Sequence, residues 1–367
     1  MEYYAKIENG RLLVGNSLIE RSVLLTPAYP ASEYILDKLS GKYWRGEGGK
    51  AMFNLFGLTF SELPRFSTRL SDNGGLSEEH LCAELVWQNQ WTVITQTFEI
   101  YGESPFISCY LTVSGSATPS EQEKHEDKKS REGIESDTAG TVPASALPPT
   151  DTIDYLPLSD AHLKVEAVTI YDRTDGCDNY VSSKSEEIYA AKVTGFDGSL
   201  FLLTPCGGEN GLMLVKEAPC VGSQLCRIQS DLFVKPRKGG FAYLAGSGIS
   251  KDELSEVPLP LYGSTVGVGK PRELKRLWRR HYAKVCLGSG NLFAMSNTWG
   301  DRSRDTALCE EFMLREREFA ERIGIDVMQL DDGWQRGRTA NSGLKKSGGV
   351  WTDGFYKEDP CFWNVDT

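Results

Sequence analysis

The sequence predicts a multidomain protein of β plus α/β class, an antiparallel β-sandwich followed by the opening of a parallel α/β sheet. Three observations predict it. Short apolar runs alternate with polar residues at period two through most of the first 260 or so positions. A single amphipathic segment of helical period follows Pro271, and after Leu292 strand, helix and strand succeed one another by residue 330.

The first element is a hairpin. Ala5 and Ile7, then Asn9-Gly10, then Leu12 and Val14 give alternating apolar positions around the dipeptide favoured by two-residue turns, whose central residues both need positive φ. An excursion rich in Pro, Gly and aromatics follows from Thr26 to Gly75. Alternation then returns at Thr92, Ile94, Phe98 and Ile100, and again at Ile107, Cys109, Leu111 and Val113. From 116 to 152 the chain is almost all charged, small polar or Pro, and such a segment buries too little apolar surface to offset its ordering entropy. It is expected to be a disordered insertion within the β domain, because strand pattern resumes at Leu163, Val165 and Ala167, at 200–203 and at 212–215. Many short strands at this spacing imply a large antiparallel sandwich.

Pro271 suits the first position of a helix, and Leu274, Leu277, Trp278, His281 and Val285 share one face. Arg272, Lys275, Arg276, Arg279, Arg280 and Lys284 occupy much of the rest, and in so acidic a chain this basic face is expected to be solvated or salt-bridged. His281 falls on the apolar side and is expected to be a packing residue. Next, Leu292–Ser296 reads as a strand leading into Asn297-Thr298-Trp299-Gly300. A helix follows, with Asp305 near its start, Leu308, Cys309, Phe312, Met313, Phe319, Ala320 and Ile323 on one stripe, and Gly324 at its end. Ile325–Leu330 is the second strand. A strand–helix–strand unit requires parallel strands, so a parallel barrel or a doubly wound sheet begins here.

Composition narrows the function. A net charge of −11 argues against a polyanion partner, since nucleic-acid binding rests on neutralising phosphates. The opening Met1-Glu2-Tyr3-Tyr4-Ala5-Lys6 has no basic and apolar leader, and no run has the length of a membrane span, so a cytoplasmic protein without a membrane contact is expected. Nine cysteines, with no Cys-x-x-Cys pair, are expected to be reduced and mostly buried.

Chemistry points to Asp331 and Asp332. They end the second strand, and in parallel α/β architectures ligands bind at the carboxyl ends of strands. Such a pair can ligate a metal, act as acid and base, or accept hydrogen bonds from a polyhydroxylated substrate; a plain Asp-Asp-Gly turn is the alternative. Adjacent residues on a strand point to opposite faces, so the doublet does not supply two carboxyls facing each other across a scissile glycosidic bond. Hydroxyl binding suits it better. Trp299, at the end of the preceding strand, is a candidate to stack a sugar face or, alternatively, a core residue.

Asn297-Thr298-Trp299, followed 32 residues after the Trp by Asp331-Asp332-Gly333-Trp334-Gln335, resembles glycoside hydrolase family 36, the α-galactosidases and related raffinose synthases. The resemblance implies an N-terminal antiparallel β-supersandwich over 1–265, a linker helix over 266–288, and the first part of a (β/α)8 TIM barrel over 289–367. It implies that Asp331, Asp332, Trp299 and Trp334 bind substrate. The implied activity is retaining, double-displacement hydrolysis of terminal α-galactosides, with no cofactor and no metal, and with homo-oligomer formation by the full-length protein left open. The family's nucleophile and acid/base are expected beyond Thr367, because the 77 residues from Asn291 onward compare with about 250 in a complete barrel. Asp301, Asp305, Asp326, Asp353 and Asp366 are read as solvated or capping residues. A galactosyltransferase of raffinose synthase type, suggested by Gln335, and a non-catalytic carbohydrate-binding protein are the alternatives.

Overall fold

In a computed structural model, the residues described are 3–46, 50–55, 57, 59–89, 92–115, 148–149, 151–170, 181–221, 228, 230–237, 239–248, 262–286, 294–298 and 308–331. The chain divides into two compact units, Met1–Leu287 and Gly288–Thr367.

The first unit opens with β1 (Tyr4–Glu8), β2 (Arg11–Gly15), β3 (Ile19–Leu25), β4 (Pro30–Asp37), β5 (Lys42–Arg45) and β6 (Arg65–Ser71). It continues with β7 (His80–Gln88), β8 (Thr92–Tyr101), β9 (Phe106–Gly115), β10 (Thr152–Leu158), β11 (Leu163–Ile170) and β12 (Val181–Ile188). Then come β13 (Thr194–Phe196), β14 (Leu200–Pro205), β15 (Gly211–Glu217), β16 (Leu232–Lys235), β17 (Gly240–Ala245), β18 (Tyr262–Gly269) and the helix α1 (Pro271–Val285). Among the described residues these strands form three antiparallel sheets. One is the meander β1 to β5, the second has the order β10-β17-β16-β13, and the third runs β12-β11-β14-β15-β18-β9-β8-β7-β6.

The hairpin between β1 and β2 forms as its sequence predicts, with Asn9 and Gly10 at φ 51° and 73°. A single core joins the three sheets, drawing Leu12, Val23 and Ile35 from the first, Leu156, Val234 and Leu244 from the second, and Phe98, Leu111, Phe201 and Val266 from the third. The Arg21 guanidinium, fully buried, ties the layers together. It donates to both carboxylate oxygens of Asp154, at 2.5 and 3.0 Å, and the same carboxylate accepts from Ser264 Oγ at 2.8 Å. Burying this charge is tolerable because it is paired in a bidentate geometry.

Helix α1 lies on the other face of the nine-stranded sheet, where Leu274, Leu277 and Trp278 pack against Phe106, Leu202, Met213 and Val215. The approach is close: a Cβ on Gly211 of β15 would meet Leu274 Cδ1 at 2.8 Å. His281 is buried in this layer, with Nδ1 2.9 Å from Ser104 Oγ and its ring stacked on Phe106, and burial pushes its pKa down to about 3. It is the packing residue expected. On the basic face Lys275 pairs with Glu166, and Lys284 Nζ donates to Glu78 Oε2 at 2.7 Å.

Several expectations change. The helix expected over 266–288 is shorter, because Tyr262–Gly269 is a strand whose Gly-rich sequence hides the alternation. The excursion from Thr26 to Gly75 contains β4, β5 and β6. Among the described cysteines only Cys82 and Cys109 are buried, whereas Cys206 and Cys309 are exposed at loop and helix-start positions. The segment expected to be a disordered insertion lies outside the described residues from 116 to 147 and at 150.

The second unit contains β19 (Met295–Asn297), α2 (Glu310–Ile323) and β20 (Val327–Gln329). The two strands pair in parallel, Met295 with Val327 and Asn297 with Gln329. Gly324 ends α2 at φ 79°, a left-handed conformation that glycine adopts without Cβ strain, and its N–H returns to the carbonyls of Ala320 and Glu321. The predicted apolar stripe of α2 is less buried than its pattern suggests: Ala320 is covered, but Phe319 and Ile323 are exposed. No helix among the described residues is long and apolar enough to cross a membrane.

Candidate functional site

The carboxyl ends of β19 and β20 are joined by Thr298. Its backbone N–H donates to the Gln329 carbonyl at 3.2 Å, extending the parallel ladder by one residue. Its hydroxyl accepts the Asp331 N–H at 2.9 Å. Thr298 is buried and Asp331 half-buried, so the hydroxyl supplies a partner to an amide that has passed the end of the strand pairing.

The opposite ends of the strands are fixed by a carboxylate. Asp326 Oδ2 accepts the Ala294 N–H at 2.8 Å, while the Ala294 carbonyl accepts the N–H groups of Asp326 and Val327. Asp326 thus does what its solvated or capping assignment predicts, closing the amino end of the strand pair.

Of the four residues expected to bind substrate, Asp331 is described, and Trp299, Asp332 and Trp334 lie outside the described residues. Asn297, Thr298 and Asp331 are brought to one end of the parallel pair. A separate open groove of about 730 Å³ runs between α2 and β20, lined by Met313, Leu314, Ala320, Ile325, Asp326 and Met328 among others. Neither Thr298 nor Asp331 lines it.

In the sequence Thr298 stands out only as part of the Asn297-Thr298-Trp299 motif. Its role as the hydroxyl that holds the next strand's motif is visible only once the register of the two strands is known.

Two groups of metal-ligating side chains occur among the described residues, both in the first unit: His80, Cys82 and Glu99, which are buried, and His162, Glu187 and Cys206, which are exposed. No period or short motif flags either one, since each depends on cross-strand pairing.

No family model matches the sequence, and no curated protein matches it. Solved structures similar to the chain include the GH36 α-galactosidase AgaB from Geobacillus stearothermophilus, at 10% identity and TM-score 0.46, covering 94% of this chain and 53% of that one. The galactosidase domain of the α-galactosidase-sucrose kinase AgaSK is similar at 10% identity and TM-score 0.47, over 91% of this chain and 51% of that one. The α-galactosidase from Lactobacillus brevis gives 9% identity and TM-score 0.44, over 90% and 50%. At this level residue roles do not transfer. The chain spans about half the length of these α-galactosidases, to which it is similar in structure over 90% or more of its own.

Proposed function

We propose that this polypeptide carries the galactose-gripping side of a retaining α-galactosidase, which cleaves terminal α-galactosides by double displacement. In this reading residues 289–367 begin a (β/α)8 barrel. The observation that supports it is the bond from the Asp331 N–H to Thr298 Oγ1, which unites the ends of two parallel strands, where substrates of such architectures bind.

Each residue then has a task. The Asp331 and Asp332 carboxylates accept hydrogen bonds from vicinal sugar hydroxyls, with the added strength of an ionised acceptor. Trp299 covers an apolar sugar face and Trp334 lines the same subsite. Nucleophile and acid/base are two further carboxyls on later strands, because a strand-end doublet does not span a glycosidic bond at the roughly 5 Å separation that retention needs.

Galactose binding followed by Trp fluorescence tests the grip. A saturable response weakened at least tenfold in Asp331→Asn and in Asp332→Asn is expected; an equal response in the unsubstituted chain and both variants overturns the assignment. Hydrolysis of p-nitrophenyl α-galactoside tests the other half. Turnover by this 367-residue chain alone, at the rate of a competent glycosidase, would place the catalytic carboxyls within it and refute their assignment to later strands.

A further inference from the structure

His80 and Cys82 are two residues apart on β7 and so project from the same face of the sheet, and Glu99 on β8 is the cross-strand partner of Cys82. All three are buried, His80 and Cys82 completely. One ligand atom from each lies within 4.8 Å of the others.

The imidazole is oriented for coordination. Nδ1 of His80 is 2.9 Å from the Glu78 carbonyl, a contact in which it must carry the proton, with Ser77 Oγ a more distant 3.4 Å away. In the neutral ring this leaves the Nε2 lone pair unprotonated, and a backbone carbonyl on the opposite nitrogen is the usual support of a metal-binding histidine. Nε2 is buried and makes no hydrogen bond of ordinary geometry among the described residues; burial disfavours charge on the ring, but the adjacent Cys82 and Glu99 outweigh it and raise the His80 pKa to about 10, so without an ion the ring is protonated. Glu99 Oε1 stands 3.5 Å from Nε2, longer than the roughly 2.7–2.9 Å of a charge-assisted N–H···O bond. That separation is close to the roughly 3.3 Å between nitrogen and oxygen ligands on one tetrahedral Zn²⁺. The remaining carboxylate oxygen, Oε2, accepts from Tyr101, whose ring stacks on His80 with centroids 4.5 Å apart.

We propose that His80 Nε2, Cys82 Sγ and a Glu99 carboxylate oxygen bind Zn²⁺ within the β-sandwich, with water as fourth ligand. Nitrogen, sulfur and oxygen donors suit this borderline-soft ion. On binding, the Cys82 thiol and the protonated His80 Nε2 each release a proton to solvent, and the resulting thiolate with the Glu99 carboxylate balances the dication. A buried site with no net charge avoids the desolvation cost of an unpaired ion. The ion links β7 to β8 beneath the turn that Lys284 holds through Glu78. This site is independent of the galactoside reading.

The test uses the whole chain, stripped with chelator and reloaded. One equivalent of zinc retained through gel filtration is expected. Co²⁺ in its place should give visible d–d bands and a near-ultraviolet thiolate charge-transfer band. Both should persist in Cys206→Ser, which disables the exposed His162–Glu187–Cys206 group, and vanish in Cys82→Ser; Glu99→Gln should weaken zinc at least tenfold. No retained zinc means that His80 and Glu99 form an ion pair only, and overturns the proposal. So does cobalt absorption lost in Cys206→Ser but kept in Cys82→Ser. Should Cys82→Ser not fold, zinc-edge anomalous diffraction from crystals of the unsubstituted chain decides: a peak bonded to His80, Cys82 and Glu99 supports the site, and a peak elsewhere or none overturns it.

Discussion

The Asp331 backbone N–H donates to the side chain of Thr298 across 2.9 Å, so the residue that ends one parallel strand fixes the backbone just beyond the next. A main-chain amide held by a buried hydroxyl is protected from solvent for as long as the hydroxyl is there. Thr298→Val keeps the shape and removes the acceptor, leaving the Asp331 amide unsatisfied at a cost of about 1–3 kcal/mol. Hydrogen exchange at Asp331 should speed up about tenfold or more, each 1.4 kcal/mol being a factor of ten, and Thr298→Ser should restore protection. Unchanged exchange in the valine variant would mean that the hydroxyl does not hold this strand end.

Arg21 and Asp154 come from different sheets and are both essentially inaccessible to water. Losing one partner strands the other as an unpaired buried charge, so Asp154→Asn should destabilise the first unit by about 3–5 kcal/mol in urea titrations. Arg21→Met combined with Asp154→Leu should recover much of that loss. A double variant as unstable as Asp154→Asn would show that the pair stabilises by more than balancing its own burial.

His281 gives the β-sandwich a dependence on acid. Burial is the largest cause of its depressed pKa, with Lys284 acting in the same direction and Glu99 opposing. A histidine near 6.5 in the unfolded chain and near 3 when folded binds fewer protons in the native state. Its contribution is therefore complete above pH 6.5 and declines towards pH 3, by up to about 1.4 kcal/mol per pH unit. His80, whose pKa Cys82 and Glu99 raise to about 10 against the effect of burial, and Glu217, whose carboxyl burial shifts upward, work the other way, so the slope attributable to His281 is best read by difference. On going from pH 7 to 5, the change in urea midpoint should be more favourable for His281→Asn than for the unsubstituted chain. Parallel slopes would rule out a neutral buried imidazole at this position.

Much of this architecture is legible in the sequence where one local rule acts without competition. Asn9-Gly10 fixes a hairpin through positive φ, period-two runs at β8, β9 and β11 expose one face to a core, and Gly324 stops a helix because only a residue lacking Cβ turns there cheaply. Strand β18 is obscured because Gly263, Gly267 and Gly269 interrupt its alternation, and Gly267 is small owing to a neighbour 161 positions earlier in the chain, Phe106. The same limit applies to sites. The Asp331 doublet is visible as a motif, whereas Thr298 as its tether, and Glu99 beside His80 and Cys82, emerge only from strand register.

That neighbour makes Gly267 the sharpest packing test in the molecule. It faces Phe106 across the β18–β9 ladder, and a Cβ there would fall 2.0 Å from the Phe106 ring, far inside van der Waals contact. The ring cannot retreat easily, since it stacks on His281 and meets Trp278 edge-on beneath α1. Gly267→Ala should therefore cost about 1–3 kcal/mol by overpacking, and the displaced ring should loosen the helix. Thermal unfolding measures the first effect, and faster amide exchange in residues 274–281 the second. Phe106→Leu alone loses part of an aromatic core contact, but in the Gly267→Ala background it should recover stability, because a smaller side chain vacates the space that the methyl needs. If the two losses simply add, the methyl is accommodated elsewhere and Phe106 is not what keeps residue 267 a glycine.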